Sequence, residues 1–159
     1  MTHIVRYLLV CIVLGLSWAH CNGLDSFRPY RGCGERRIGI RVLDDEGREL
    51  LRVCTQGWRL EPQTGFVRIT DDRIPDLLVV AQAGAKMSEA ILYRKAGRKY
   101  TRVGWWSGWD IQSGHWHGKP AIHYEMLEPT LEHPKHVVFF RWNGRRFVPS
   151  EPGNYSYSP

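Results

Sequence analysis

The chain has 159 residues, 43% of them hydrophobic and 24% charged, with a formal net charge of +6 and four cysteines. That is the length of one domain with enough apolar residues for a core, which excludes disordered, collagen-like and coiled-coil classes. The only long apolar run, residues 8–19, excludes a multi-span membrane protein.

Residues 1–19 read as an export signal. Arg6 precedes the apolar run, and Ser17 and Ala19 place small residues for cleavage before His20. The run is too short and too close to the terminus for a good membrane span, so the mature chain is expected in the periplasm or secreted, not membrane-spanning. An uncleaved N-terminal anchor is the alternative, and it too delivers the rest outside the cytoplasm. Cys21 is poorly placed for a lipid anchor, because His20 stands where a small residue belongs. Cleavage leaves Cys21, Cys33 and Cys54. In an oxidising compartment one bridge forms and one thiol is spare. Cys33–Cys54 is the expected pair, since Cys54 ends a strand and Cys33 sits in the Gly-flanked lead-in, residues 20–37.

From 38 to 149 the sequence echoes itself as a single β domain, followed by a flexible tail at 150–159. Three segments (40–53, 91–103 and 138–148) each read as a strand-like run, a polar turn with Gly47, Gly97 or Gly144, an arginine (Arg48, Arg98, Arg145), and a second run. Glycine fits such turns because they require a positive φ. Two of the hairpins lead on to Gly57-Trp58-Arg59-Leu60 and Gly108-Trp109-Asp110-Ile111, then to Pro-led strands at Ile74–Val80 and Lys119–Glu125. The spacing, roughly 50 residues, belongs to blade-like β architecture. About two and a half units are fewer than a standard propeller needs. The expectation is an all-β fold of antiparallel sheets, a distorted small propeller or sandwich.

The segment Asp71-Asp-Arg-Ile-Pro-Asp-Leu-Leu-Val-Val80 resembles the repeat of FG-GAP and related blade families. The Tyr93-Arg…Gly97-Arg-Lys-Tyr100 and Phe140-Arg-Trp-Asn-Gly-Arg-Arg-Phe147 hairpins are similar to those of uncharacterised exported bacterial β-repeat proteins. Intact family copies bind calcium through Asp or Asn oxygens. Here Asp71, Asp72 and Asp76 remain, Arg73 intrudes, and the second copy offers Gly118, Lys119 and Ala121, so the carboxylates are expected to form turns. No cofactor or metal is expected.

No nucleophile elbow, metalloprotease helix, phosphate loop or Cys-x-x-Cys occurs in the sequence. An Asp110–His115 acid–base pair has no evident nucleophile. The chain therefore reads as a non-catalytic binding module, with an enzyme of unrecognised class as an alternative. Two concentrations of unusual residues remain. Trp105, Trp106, Trp109 and Trp116 are four of the seven tryptophans, and His115, His117, His123, His133 and His136 cluster beside them. Trp109 and Trp58 occupy equivalent places in the units, which marks both as packing residues. The binding candidates are then Trp105, Trp106, His115, Trp116 and His117, in a glycine-rich loop from Gly104 to Gly118. On a strand, His115 and His117 would share a face and reach a metal with His123; a solvated polar face is the preferred reading. Two functions follow: protein binding of an inhibitor or immunity type in the cell envelope, or carbohydrate or wall-polymer binding through Trp105, Trp106 and Trp116. The turn arginines give the sheets a positive end suited to an anionic partner. Nucleic acid is not expected.

Overall fold

Gly47, Gly97 and Gly144 each take a positive φ, of 79°, 60° and 95°. Each turn folds its flanking runs back as an antiparallel pair. A computed structural model describes residues 25–70, 73–126 and 136–150. The segment 1–19, His20, Cys21, Asp71, Asp72, His133, the side chain of His136 and residues 151–159 lie outside that description.

Among the described residues the chain is all-β. In order it forms β1 (Ser26–Tyr30), β2 (Gly39–Leu43), β3 (Glu49–Cys54), β4 (Arg59–Leu60), β5 (Gly65–Val67), β6 (Asp76–Gln82), β7 (Ser88–Ala96), β8 (Lys99–Trp116), β9 (Lys119–Met126), β10 (His136–Trp142) and β11 (Phe147–Pro149). One antiparallel sheet is three-stranded, β1-β2-β3. The other is eight-stranded, β11-β10-β9-β8-β7-β6-β4, with β5 also paired to β6. Neither sheet closes into a barrel. The lead-in contributes a strand of its own, β1, and so belongs to the fold.

Strand β8 shapes the molecule. Its residues 99–108 pair with β7 and its residues 109–116 with β9. Between them Asp110 takes φ 45° and the register slips, a bulge that bends the strand. The bend folds the β8–β11 region over the β6–β8 region. Trp106 on β8 consequently meets Phe147 on β11 at 5.0 Å between ring centroids, although three strand steps in a flat sheet span about 14 Å. The result is three layers: the small sheet, the β4–β8 part and the β8–β11 part.

The middle layer is apolar on both sides. Leu77 and Val79 of β6 face the small sheet and pack with Ile40, Val42, Val53 and Ile91. Leu78 and Val80 face the other way and pack with Leu92, Trp106, Ile111 and Ile122. This is why Leu77-Leu-Val-Val-Ala81 is an unbroken apolar run. A strand buried on both faces cannot alternate, and each such side chain contributes about 1.5–3 kcal/mol on burial. The small sheet is pinned by the Cys33–Cys54 disulfide, with Cα atoms 5.5 Å apart, and by Asp25, which receives the Tyr100 hydroxyl at 2.5 Å and Lys95 Nζ at 2.6 Å.

Candidate functional site

The segment from Gly104 to Gly118, expected as a glycine-rich loop, is the body of β8 and its turn. Its glycines make room for rings. A Cβ on Gly104 would run into the Trp106 indole, one on Gly108 into Tyr124, and one on Gly114 into His123. Glycine on a strand surrenders its own packing surface, and a neighbouring aromatic ring covers the gap.

The five candidate residues separate onto different faces. Trp106 is a correction: at 6% exposure it is core, between Phe140 and Phe147. Trp105, its neighbour, points to the opposite face as strand geometry requires, and at 55% it is the most exposed of the large apolar side chains described. Its indole N–H donates to Glu89 Oε1 at 2.7 Å. Glu89 is itself buried, and its Oε2 accepts the backbone N–H of Gln56 at 2.6 Å. The ring is thus exposed yet fixed.

At the far end of β8, Trp116 forms a second group. It lies against Phe139 of β10 at 4.6 Å and 34° between planes, and against His117 at 4.5 Å, edge to face. His123 joins Phe139 at 5.2 Å. Burial holds the His123 pKa below its ordinary 6.5, with Asp110 and Glu125 pulling the other way, and its Nδ1 is buried without a partner among the described residues.

The metal-binding alternative for His115, His117 and His123 does not match the geometry. His117 is in the β8–β9 turn with φ 48°, not on a strand. His115 pairs with Pro120 and His123 with Gln112, so His115 and His123 occupy opposite faces. No three His, Cys, Asp or Glu side chains among the described residues gather closely enough to hold a metal ion. Asp110, the other half of the supposed acid–base pair, accepts from Gln112 Nε2 at 2.5 Å. Asp76 accepts from Ile69 N, Thr70 N and Thr70 Oγ1, and so closes the loop before β6 as a turn carboxylate.

The repeated tryptophans also depart from expectation. Trp58 is 47% exposed, and Trp109 is half-buried with Lys86 Nζ 5.2 Å above its ring. At both positions the preceding glycine does the packing: a Cβ on Gly57 would collide with Ala81 and Gln82, as one on Gly108 would with Tyr124.

Two of the three turn arginines are paired with a carboxylate. Arg48 and Arg98, from two different hairpins, both reach Asp44 Oδ2, at 2.8 and 2.6 Å. Partial burial works against ionising Asp44, but the hydrogen bonds and charge of Arg48, joined by the Glu46 amide, prevail and lower its pKa. At the third hairpin, Asn143 Oδ1 accepts the backbone N–H groups of Arg145 and Arg146.

The Asp25–Lys95–Tyr100 group lines a cavity of about 40 Å³ with Phe66, Ile74 and Pro75, room for a few waters and no substrate. Burial, and then the Asp25 hydrogen bond and charge, push the Tyr100 phenol far above its usual range. It stays a neutral donor that ties β8 to the start of β1.

Sequence reasoning missed Glu89 and Phe139. Glu89 lies in an ordinary polar–apolar pattern, and only the pairing of β7 with β8 reveals its role. No protein-family profile, curated protein or solved structure matches this chain, so its geometry carries the functional argument.

Proposed function

We propose that this chain is an exported, non-catalytic binding module whose partner is a protein of the cell envelope, with an inhibitor or immunity type of role. The observation that carries the reading is Trp105. An indole exposed to more than half its surface and held by a hydrogen bond to a buried carboxylate binds without first losing side-chain freedom. Export is supported by the layout of residues 1–19 and by the Cys33–Cys54 bridge, which suits an oxidising compartment. No helix among the described residues is long and apolar enough to cross a membrane.

Carbohydrate binding through Trp105, Trp106 and Trp116 has less support. A sugar platform needs its rings on one surface, whereas these three side chains lie on three: Trp105 beside the small sheet, Trp106 in the core, Trp116 on the outer side of β8–β10. The test is capture from envelope extract by the mature chain and by Trp105→Ala, with the melting temperature of each. Loss of a captured protein by a variant whose melting curve shows that it is still folded supports the reading. Equal capture by both, or capture competed by soluble wall polysaccharide, refutes it.

A further inference from the structure

The outer face of the small sheet carries a row of like charges. Arg28 on β1 pairs directly with Arg41 on β2, and Arg41 pairs directly with Arg52 on β3. Their neighbours Phe27, Ile40, Val42, Leu51 and Val53 point inward to the core, so strand alternation sends all three arginines outward. Like charges directly opposite on neighbouring strands are destabilising, and here that arrangement occurs twice in succession.

Tyr30 stiffens the row. The Arg41 guanidinium lies 5.5 Å and that of Arg52 4.9 Å from the centroid of its ring. Arg52 is already satisfied, because Glu49 takes its Nε and Nη2 in a two-pronged pair at 2.9 and 3.0 Å. Arg28 and Arg41 have no such carboxylate among the described residues. The Nε of Arg41 is buried with no acceptor among the described residues, which costs stability.

We infer that this face is a docking surface for an acidic protein segment, with Arg28 receiving a carboxylate of the partner as Arg52 receives Glu49, and Arg41 receiving one through its terminal Nη groups. Two features favour carboxylates on a peptide. The Arg52–Glu49 pair displays the planar, two-pronged match that guanidinium makes with carboxylate. The step between strands, about 4.8 Å, is close to the roughly 5–6 Å that separates glutamates at i and i+4 on a helix. The outer face of the three paired strands offers a helix room to lie across them. Exposed arginines at 31, 36 and 37 in the adjoining loop add attraction at longer range. The inference stands independently of Trp105.

The probe is an alanine-rich helical peptide bearing glutamates at i, i+4 spacing, titrated calorimetrically into the full chain at low salt. Its glutamine counterpart and inorganic polyphosphate serve as comparators. The acidic peptide is expected to bind and the glutamine peptide not. Arg28→Gln, at an exposed position where folding is not at stake, is expected to weaken binding roughly tenfold, the equivalent of one charge-assisted hydrogen bond. Arg28→Gln with Arg41→Gln is expected to abolish it and to flatten its salt dependence. The control, Arg145→Gln with Arg146→Gln, removes the same charge elsewhere and is expected to bind as the parent does. The inference is overturned if the two peptides bind alike, if the control weakens binding as much as the Arg28 variants do, or if Arg28→Gln has no effect. It is overturned as to partner if polyphosphate binding depends on Arg28 and Arg41 and peptide binding does not.

Discussion

The chain crosses between layers twice, each time near a Gly-Trp pair, and does so differently each time. After the first hairpin β3 ends at Cys54, the backbone turns through Thr55, Gln56 and Gly57, and β4 begins in the other sheet. After the second hairpin the corresponding stretch runs without a break, and β8 changes partner from β7 to β9 across the bulge at Asp110. The first crossing is held by specific polar contacts: Thr55 Oγ1 donates to Ile38 O at 2.6 Å, Ile38 N to Gly57 O at 2.8 Å, and Gln56 N to Glu89. The second is held by packing, with Trp106 pressed between the two halves. A break in a strand leaves backbone groups that must find new partners, whereas a bend keeps the ladder and needs only a filled interior. Glu89 and Trp105 sit where the first crossing touches the second strand, so the exposed indole is fixed by the machinery of the first crossing.

This contrast breaks most sharply at Trp106. Trp106→Ala is expected to cost about 3–5 kcal/mol, as for a lost core aromatic. Trp105→Ala next to it should cost no more than about 1–2 kcal/mol, the loss of one hydrogen bond from a half-exposed ring. Denaturant unfolding of both variants checks the pair, and equal losses would mean that Trp105 and Trp106 do not lie on a wet and a dry face of β8. Next comes the first crossing. Opening Cys33–Cys54, with a sequence separation of 21 residues, is expected to cost about 3 kcal/mol through added freedom of the unfolded chain; thermal melts with and without reductant measure it. Glu89→Gln is smaller, about 1–3 kcal/mol. The amide keeps one acceptor where the carboxylate serves both Gln56 and Trp105. The indole N–H signal of Trp105 should shift in the proton NMR spectrum while that of Trp106 stays in place.

The smallest effects are in pH dependence, and they separate the outer layers. His123, on the outer side of the β8–β11 layer, has its folded pKa lowered below 6.5 by burial. The unfolded chain therefore takes up the proton first on acidification. Stability from this group is complete above pH 6.5 and declines as pH falls through the lowered folded value. His123→Gln should flatten that decline. Asp44, at the tip of the small sheet, is a depressed carboxylate. Its contribution is present above its ordinary pKa of 3.8 and is lost only as pH falls through the lower folded value. Asp44→Asn should remove that strongly acidic limb and leave the one near neutrality untouched.

Much of the frame is legible in the sequence. The turn glycines mark hairpins because φ is a local property. The pairing of Cys33 with Cys54 followed from where a strand ends. Asp76 was readable as a turn carboxylate because the residues it binds, Ile69 and Thr70, are its near neighbours. Equivalence between the units misled on the tryptophans. It marked Trp58 and Trp109 for the core, but the element that packs there is the preceding glycine, and a motif does not say which of its two residues faces inward.

What the sequence by itself determined is therefore local: strand-forming runs, the places where they turn, an all-β class, and a β6 too apolar to touch water on either face. What tertiary structure decided is everything that depends on register. Shifting a strand by one residue exchanges its faces, and only the bulge at Asp110 fixes which residues after it face the core. Only the pairing of β7 with β8 brings Glu89 to Trp105. Only the alignment of β1, β2 and β3 turns Arg28, Arg41 and Arg52, scattered through the sequence among other arginines, into one row. Neighbours across a sheet are chosen by long-range pairing, and no short window of sequence contains both partners.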